Sequence, residues 1–147
     1  MKKLLALVAA LCMLTACGGG SSEKTTVCSG TTSGGDVVNT IKYVDEKVNS
    51  ITYQNTMEID ESLIDYVKEY ADSYKETVEQ ISGISYTYTI DGTTVVETTT
   101  IDYTVADMDE LISNGMIDAG ENETVDYIDY ELTLDNMTSI GLTCTEQ

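Results

Sequence analysis

The sequence predicts an α+β fold, in which an antiparallel sheet of about five to six strands is packed by one long helix and one or two short ones. Apolar and polar residues alternate along Ile51–Ile59, the period becomes helical between Glu61 and Gly83, and period two returns at Ile84–Ile90. The pair Asp91-Gly92 that follows is a strong hairpin signal. These changes of period predict a sheet that is interrupted by one long helix.

The first third of the chain has the pattern of an antiparallel meander. Cys28 lies on a short strand-like piece, and residues 33–35, Ser-Gly-Gly, predict a turn after it. Residues 45–47, Asp-Glu-Lys, suit a hairpin loop before the strand that contains Ile51. The period-two positions of the segment between these two turns are Val37, Ile41 and Tyr43.

One amphipathic helix of about 20 residues is expected after the meander. Asp60 is the expected N-cap, and Gly83 is the expected C′ residue. The predicted apolar face consists of Leu63, Val67, Tyr70, Tyr74, Val78 and Ile81. The opposite face is rich in Asp and Glu, which is typical of a solvated surface.

The second half predicts a return strand and a short helix. Val95–Tyr103 has high strand propensity, but Glu97 sits among the odd positions and leaves the inward phase open. Thr104 is the expected cap of a helix that ends near Asn114-Gly115.

The last 30 residues predict a loop, a helix and a strand. Residues 118–129 read as an acidic loop with some extended character. A helix is expected around Leu134–Ile140, ending at Gly141. Leu142–Thr145 is the expected terminal strand, and it contains Cys144.

The N-terminus has the pattern of a bacterial lipoprotein signal. Lys2 and Lys3 precede an apolar run that ends in Leu-Thr-Ala-Cys at residues 14–17. This run is too short for the roughly 20 residues that a transmembrane helix needs. We therefore expect cleavage before Cys17, lipidation of Cys17 with at least two acyl chains, and anchoring on the extracytoplasmic face of the cell membrane. An ordinary secretory leader with an incidental cysteine is the alternative.

This signal divides the chain into a leader at 1–16, a Gly/Ser-rich tether at 17–26 and one domain at 27–147. The mature chain keeps 5 of the 7 lysines beside 26 acidic residues, a net charge near −21. Such a field repels nucleic acid and anionic headgroups. We therefore expect no nucleic-acid partner, a membrane contact through the lipid alone, a monomer, and an envelope protein as the partner.

Two cysteines remain in the mature domain beyond the lipidated one. An even pair in an oxidising compartment predicts a disulfide between Cys28 and Cys144. A thiol redox pair or half of a metal site are the alternatives. A redox motif is usually close-spaced, and a zinc site needs more ligands than this histidine-free chain readily supplies.

With these features, the chain resembles the YehR-like bacterial lipoproteins of uncharacterised function. The resemblance depends on the lipobox, on Gly83–Tyr86 and the return strand Val96–Tyr103, on Ala106–Leu111, and on the ending Gly141–Cys144. It implies a small α+β domain with helices packed on an antiparallel sheet. It implies no catalytic residues.

The composition argues against an enzyme and leaves a cation as the chemical alternative. The chain has no His, Arg or Trp, and a small domain gives little room for the cleft that acid–base work by paired carboxylates requires. No catalytic residue and no cofactor other than Ca²⁺ is therefore expected. Hard oxygen ligands concentrate at Asp118, Glu121, Glu123 and Asp126, which favours Ca²⁺, although the spacing does not match an EF-hand.

Ten tyrosines are the only aromatic residues of the chain. The helical and strand patterns place Tyr70, Tyr74 and most others in the core, and leave Tyr66, Tyr127 and Tyr130 free to contact a partner. The sequence therefore predicts a lipid-anchored, non-enzymatic binding or envelope-associated domain. The alternative is a small-ligand or Ca²⁺-binding module that serves a membrane partner.

Overall fold

The computed structural model describes residues 21–118 and 125–147. In these residues an antiparallel sheet of seven strands packs with three α-helices, which confirms the α+β prediction. The elements are β1 (Lys24–Thr32), β2 (Gly35–Val44), β3 (Lys47–Glu58), α1 (Ile64–Val78), β4 (Ile84–Asp91), β5 (Thr94–Asp102), α2 (Met108–Ser113), β6 (Ile128–Asp129), α3 (Tyr130–Ser139) and β7 (Thr143–Glu146). The spatial order is β4-β5-β3-β2-β1-β7, and β6 pairs with the start of β3.

The core lies on one side of the sheet, which we call the inner face. Strand register places rows of side chains across this face, because every second residue of a strand points to the same side. One row consists of Thr26, Ile41, Ile51, Ile101 and Ile84, and the next of Cys144, Cys28, Asn39, Tyr53, Thr99 and Tyr86. Ile41, Ile51 and Tyr86 are almost completely buried. The predicted meander of β1, β2 and β3 is confirmed.

Two helices cover the inner face, one near each edge of the sheet. α1 runs back along β4, with Val78 packed in the same cluster as Ile84. α3 lies over β1 and β2, where the ring of Tyr130 stacks on that of Tyr43 at 3.6 Å between centroids. The Tyr130 hydroxyl also lies 2.7 Å from the hydroxyl of Thr26.

The sheet has two distinct ends, because β1, β3 and β4 run in the same direction. We call the end where these three strands begin, near Ser21, the proximal end. We call the opposite end, which contains the turns after β1, β3 and β4, the distal end. α2 covers part of the proximal half, since Leu111 is buried in the cluster that contains Ala71 and Ile101.

The long helix is shorter than predicted. A 3-10 turn occupies Glu61–Leu63, and α1 itself has 15 residues and is capped by Glu79. Asp60 is the N-cap residue of this 3-10 turn, but its side chain makes no capping hydrogen bond, and the N-cap of α1 itself is Leu63. Gly83 is not the C′ residue of the helix but part of the turn into β4, with a φ of +81°.

Other boundaries differ where a local side chain decides them. Asp107, not Thr104, caps α2, because its carboxylate accepts hydrogen bonds from the backbone N–H groups of Asp109 and Glu110. α3 begins at Tyr130, earlier than predicted, because Asp129 caps it by accepting from the N–H of Leu132. β1 begins at Lys24, so residues 24–26 belong to the sheet and not to the predicted tether.

The remaining predicted elements are present, with strand ends that differ by one residue: β5 is Thr94–Asp102 and β7 is Thr143–Glu146. α2 ends at Ser113 with Asn114 as its C-cap. The terminal strand β7 contains Cys144. The β4–β5 hairpin forms as predicted, although the two residues between its strands are Gly92 and Thr93. Gly92 has a φ of +62° there.

Candidate functional site

The predicted disulfide is present. Cys28 on β1 and Cys144 on β7 are direct partners in the strand register, and their sulfur atoms are bonded. The bond joins residues that are 116 positions apart, and Cys28 is completely buried. It therefore ties the last strand to the first one, which is a structural role.

The first described residues lie at the proximal end. Cys17 lies outside the described residues, and Ser21 follows it by four positions. The Ser21 hydroxyl donates a hydrogen bond of 3.1 Å to the Asp45 carboxylate in the β2–β3 loop. The side chain of Asn49 donates one of 3.0 Å to Glu23. Ser21 and Glu23 are thus held at the proximal end of the sheet.

The predicted calcium ligands are only partly described. Asp118 and Asp126 are exposed, whereas Glu121 and Glu123 lie outside the described residues. Among residues 21–118 and 125–147 no three acidic or cysteine side chains are grouped closely enough to hold a metal ion. The calcium site stays a prediction of the sequence.

Two open cavities lie at the ends of the sheet. The proximal one has a volume of about 380 Å³ and is lined by Val44–Lys47, Asn49 and Tyr127. The Lys47 ammonium lies over the Tyr127 ring there, 5.0 Å from its centroid. The distal one, of about 340 Å³, is lined by Thr32–Asp36 and Thr56–Glu58. Glu58 accepts hydrogen bonds from the hydroxyls of Thr93 and Thr94, which lower the pKa of its carboxyl group.

The tyrosines divide into buried and exposed ones differently from the prediction. Tyr66 and Tyr127 are exposed as expected. Tyr130 is buried under α3, so its predicted freedom to contact a partner is wrong. Tyr70 was expected in the core, but 57% of its surface is exposed. The reason is the position of α1 over the edge strand β4, which leaves the flank of the helix next to β5 open.

A connected set of aromatic rings leads from this flank to the sheet. Tyr70 stacks on Tyr74 at 6.2 Å between centroids, and Tyr74 meets the ring of Tyr86 edge-on at 5.0 Å. The Tyr86 hydroxyl donates a hydrogen bond to the carboxylate of Glu97 on β5. Burial and this bond raise the pKa of Tyr86, and burial also raises that of Tyr74.

The sequence did not decide which face of the return strand carries Glu97. It shares the inner face with Val95 and Ile101, and its register partners are Asn55 on β3 and Tyr88 on β4. The apolar residues Val95 and Ile101 at the same parity were the signal available in the sequence, because a strand alternates its faces strictly. Glu97 therefore lies half-buried on the inner face, beside Tyr86 and Tyr88.

Asn55 adds a second polar group to this part of the inner face. Its amide nitrogen donates a long hydrogen bond of 3.5 Å to the Gly34 carbonyl. Its amide oxygen is buried and has no hydrogen-bond partner among the described residues. The same holds for the amide oxygen of Asn39 in the neighbouring row.

No helix in the described residues is both long and apolar enough to cross a membrane. No protein-family model and no curated protein matches the chain.

Two solved structures are similar to the chain. The NMR structure of the E. coli YehR protein aligns with a TM-score of 0.69 and 18% identity, covering 86% of this chain and 93% of that one. The chain has a YehR-like fold. An NMR structure of a protein from Streptococcus pneumoniae TIGR4 aligns with a TM-score of 0.57 and 16% identity, over 100% of this chain and 98% of the other. At these identities the likeness concerns the fold alone.

Proposed function

We propose that this protein is a lipid-anchored, extracytoplasmic binding domain without enzymatic activity, which presents α1 and the distal end to a protein of the cell envelope. The observation that supports it is that the two ends of the domain differ. Ser21 lies at the proximal end, whereas two of the exposed apolar residues, Leu63 and Tyr66, lie beside the distal end.

The lengths of the segment after Cys17 and of β1 explain why the difference between the two ends matters. Four residues after Cys17 span at most about 14 Å, so the proximal end stays close to the membrane. β1 has nine residues and extends the domain about 30 Å from that end. A lipid on Cys17 thus directs the distal end away from the bilayer, where soluble or membrane-embedded proteins can contact it.

The composition supports a non-enzymatic role. The chain contains no histidine and no arginine, the residues that most often serve as general bases and anion clamps. Its net charge of −19 also disfavours direct adsorption to anionic lipids. The lipid is then the membrane contact, and the folded domain is available for a partner.

The anchoring is tested by expressing the full chain in a bacterium together with its Cys17→Ala variant. We expect the wild type in the membrane fraction, with a mature N-terminal cysteine whose mass includes a diacylglyceryl group. Cys17→Ala removes the acceptor thiol, so it should show no lipid mass and no incorporation of labelled fatty acid.

Cys12→Ala is the matched control, because it removes a cysteine from the predicted leader and leaves Cys17 in place. Lipid incorporation should be unchanged in this variant. A wild-type chain that is secreted with no lipid on Cys17 would show the anchoring proposal to be wrong.

A further inference from the structure

α1 and α3 are not packed against each other across the distal half of the inner face. α1 lies over β4, and α3 lies over β1 and β2, so the two helices are separated by three to four strand spacings, about 14–19 Å. Packed helices are only about 8–10 Å apart. α2 occupies the proximal part of this gap, where Leu111 is buried against Ile101. No described helix covers the distal part.

We call this distal part of the gap the distal groove. Its floor is the row Val37, Asn55 and Glu97, which are all half-buried. On one side Leu142 packs over Gly30, next to Val37. On the other side stands Tyr70, held by its stacking on Tyr74.

An exposed apolar stripe of the helical segment Glu61–Val78, which comprises the 3-10 turn and α1, borders the groove. Leu63, Tyr66 and Tyr70 follow the spacing i, i+3, i+7, which places them along one flank of the helical segment. Their exposed fractions are 45%, 67% and 57%. Such a stripe is the usual contact surface for a second amphipathic helix.

The charged residues at the distal end of the sheet are acidic, while Lys68 and Lys75 lie on α1. The distal end contains Asp36, Glu58, Asp60, Glu61 and Asp91, while Lys24, Lys42 and Lys47 lie at the proximal end. Among the described residues the ion pairs are Lys24–Glu146 and Lys42–Glu23, so Glu97 has no cationic partner within 4 Å there. A carboxylate beside tyrosine faces attracts ammonium and guanidinium groups through charge and cation–π interactions.

We propose that the distal groove binds an amphipathic helix of a partner protein, with apolar residues against the Leu63–Tyr70 stripe and a lysine or arginine directed at Glu97. This inference rests on the proposed role as a protein-binding domain and names the chemistry of the partner. The distal position separates the groove from the bilayer that holds Cys17, and the negative charge disfavours a second copy of this chain.

The test uses the full chain held in phosphatidylcholine nanodiscs, and calorimetry with a synthetic Leu/Lys amphipathic peptide of about 16 residues. Empty nanodiscs, a Leu/Glu peptide of the same pattern and a scrambled Leu/Lys peptide are the controls. We expect saturable binding of the amphipathic Leu/Lys peptide only. Glu97→Gln and Tyr70→Ser should each weaken it by about tenfold.

Two matched variants distinguish the groove from general attraction. Glu79→Gln removes the same charge from an exposed site at the end of α1, and Tyr127→Ser removes an exposed tyrosine at the proximal end. Both should change the affinity by less than about twofold. Absence of saturable binding, equal binding of the scrambled or Leu/Glu peptide, or equal losses in all four variants would overturn the proposal.

The outcome is independent of the anchoring experiment. If Cys17 proves not to be lipidated, the same titrations are made on the chain in buffer without nanodiscs. Binding there with the same variant pattern supports the groove, although the anchoring proposal would have failed.

Discussion

Tyr86 on β4 donates its hydroxyl hydrogen bond to the carboxylate of Glu97 on the neighbouring strand β5. The tyrosine is 2% exposed, so a charged group on the inner face is paired with a hydroxyl that is itself part of the core. This pairing helps to accommodate Glu97 on the inner face, because a hydrogen bond offsets part of the cost of removing a carboxylate from water.

Stability should fall steeply at alkaline pH. Burial raises the pKa of Tyr86 and of Tyr103, and the hydrogen bond to Glu146 is the main cause of a raised pKa at Tyr43. Unfolded tyrosines ionise near pH 10, so the folded chain holds more protons above that pH, and the free energy of unfolding must decrease as pH rises. Below about pH 10 the stabilisation that comes from the raised tyrosine pKa values is fully present.

Urea unfolding at a series of pH values, with the absorbance of tyrosinate as a second signal, checks this expectation. Tyrosinate absorbance from the buried rings should appear together with unfolding. Tyr86→Phe removes one of the raised groups and should make the alkaline decrease shallower. An unfolding free energy that stays level well above pH 10 would contradict the assignment.

Reduction of the Cys28–Cys144 disulfide should destabilise the domain strongly. The bond closes a loop across a sequence separation of 116 residues, for which the chain-entropy account gives about 4–5 kcal/mol. Thermal unfolding with and without a thiol reductant measures the effect. The double variant Cys28→Ala/Cys144→Ala should unfold at a lower temperature and show no response to reductant. A midpoint that reduction does not lower would argue against the bond.

Gly83→Ala should cost more stability than Gly115→Ala, although both glycines have positive φ, at +81° and +71°. A Cβ on Gly83 would lie 2.6 Å from the carbonyl oxygen of Asp102, whereas one on Gly115 meets nothing within 4 Å. We expect about 1 kcal/mol for Gly115→Ala from backbone strain and at least about 2 kcal/mol for Gly83→Ala. Denaturant unfolding of the two variants gives the comparison, and equal losses would refute the steric argument.

Ile41→Ala should be far more destabilising than Val38→Ala on the same strand. Ile41 is completely buried in the central row of the inner face, whereas Val38 is 38% exposed on the opposite face. The buried truncation should cost about 2–5 kcal/mol and the exposed one less than about 1 kcal/mol. Similar losses at both positions, measured by urea unfolding, would mean that the sheet buries its other face.

Local patterns predicted most of the fold because strands and helices impose short repeats. The alternation along β3 and β4 and the helical period of α1 correspond to contacts within a few residues, so they can be read from the chain. The starts of α2 and α3 could not be read as well. Each depends on which nearby polar side chain, Asp107 or Asp129, reaches a free N–H group.

The order of strands and the candidate groove depend on contacts that are distant in sequence. β5 pairs with β3 and not only with β4, and β7 pairs with β1. These pairings bring Glu97 beside Asn55 and leave a gap between α1 and α3. No period along a single segment contains that information, because it concerns which segments become neighbours.

By itself, the sequence determined the α+β class, the meander, the two hairpins, and the pairing of Cys28 with Cys144, since each depends on residue type or on short-range repetition. Only the tertiary structure decided that Tyr70 is exposed, that Tyr130 is buried, and that Glu97 lies on the inner face. Both tyrosines lie on amphipathic helices, and their burial depends on where each helix rests on the sheet. That position is set by long-range packing, which the local pattern does not encode.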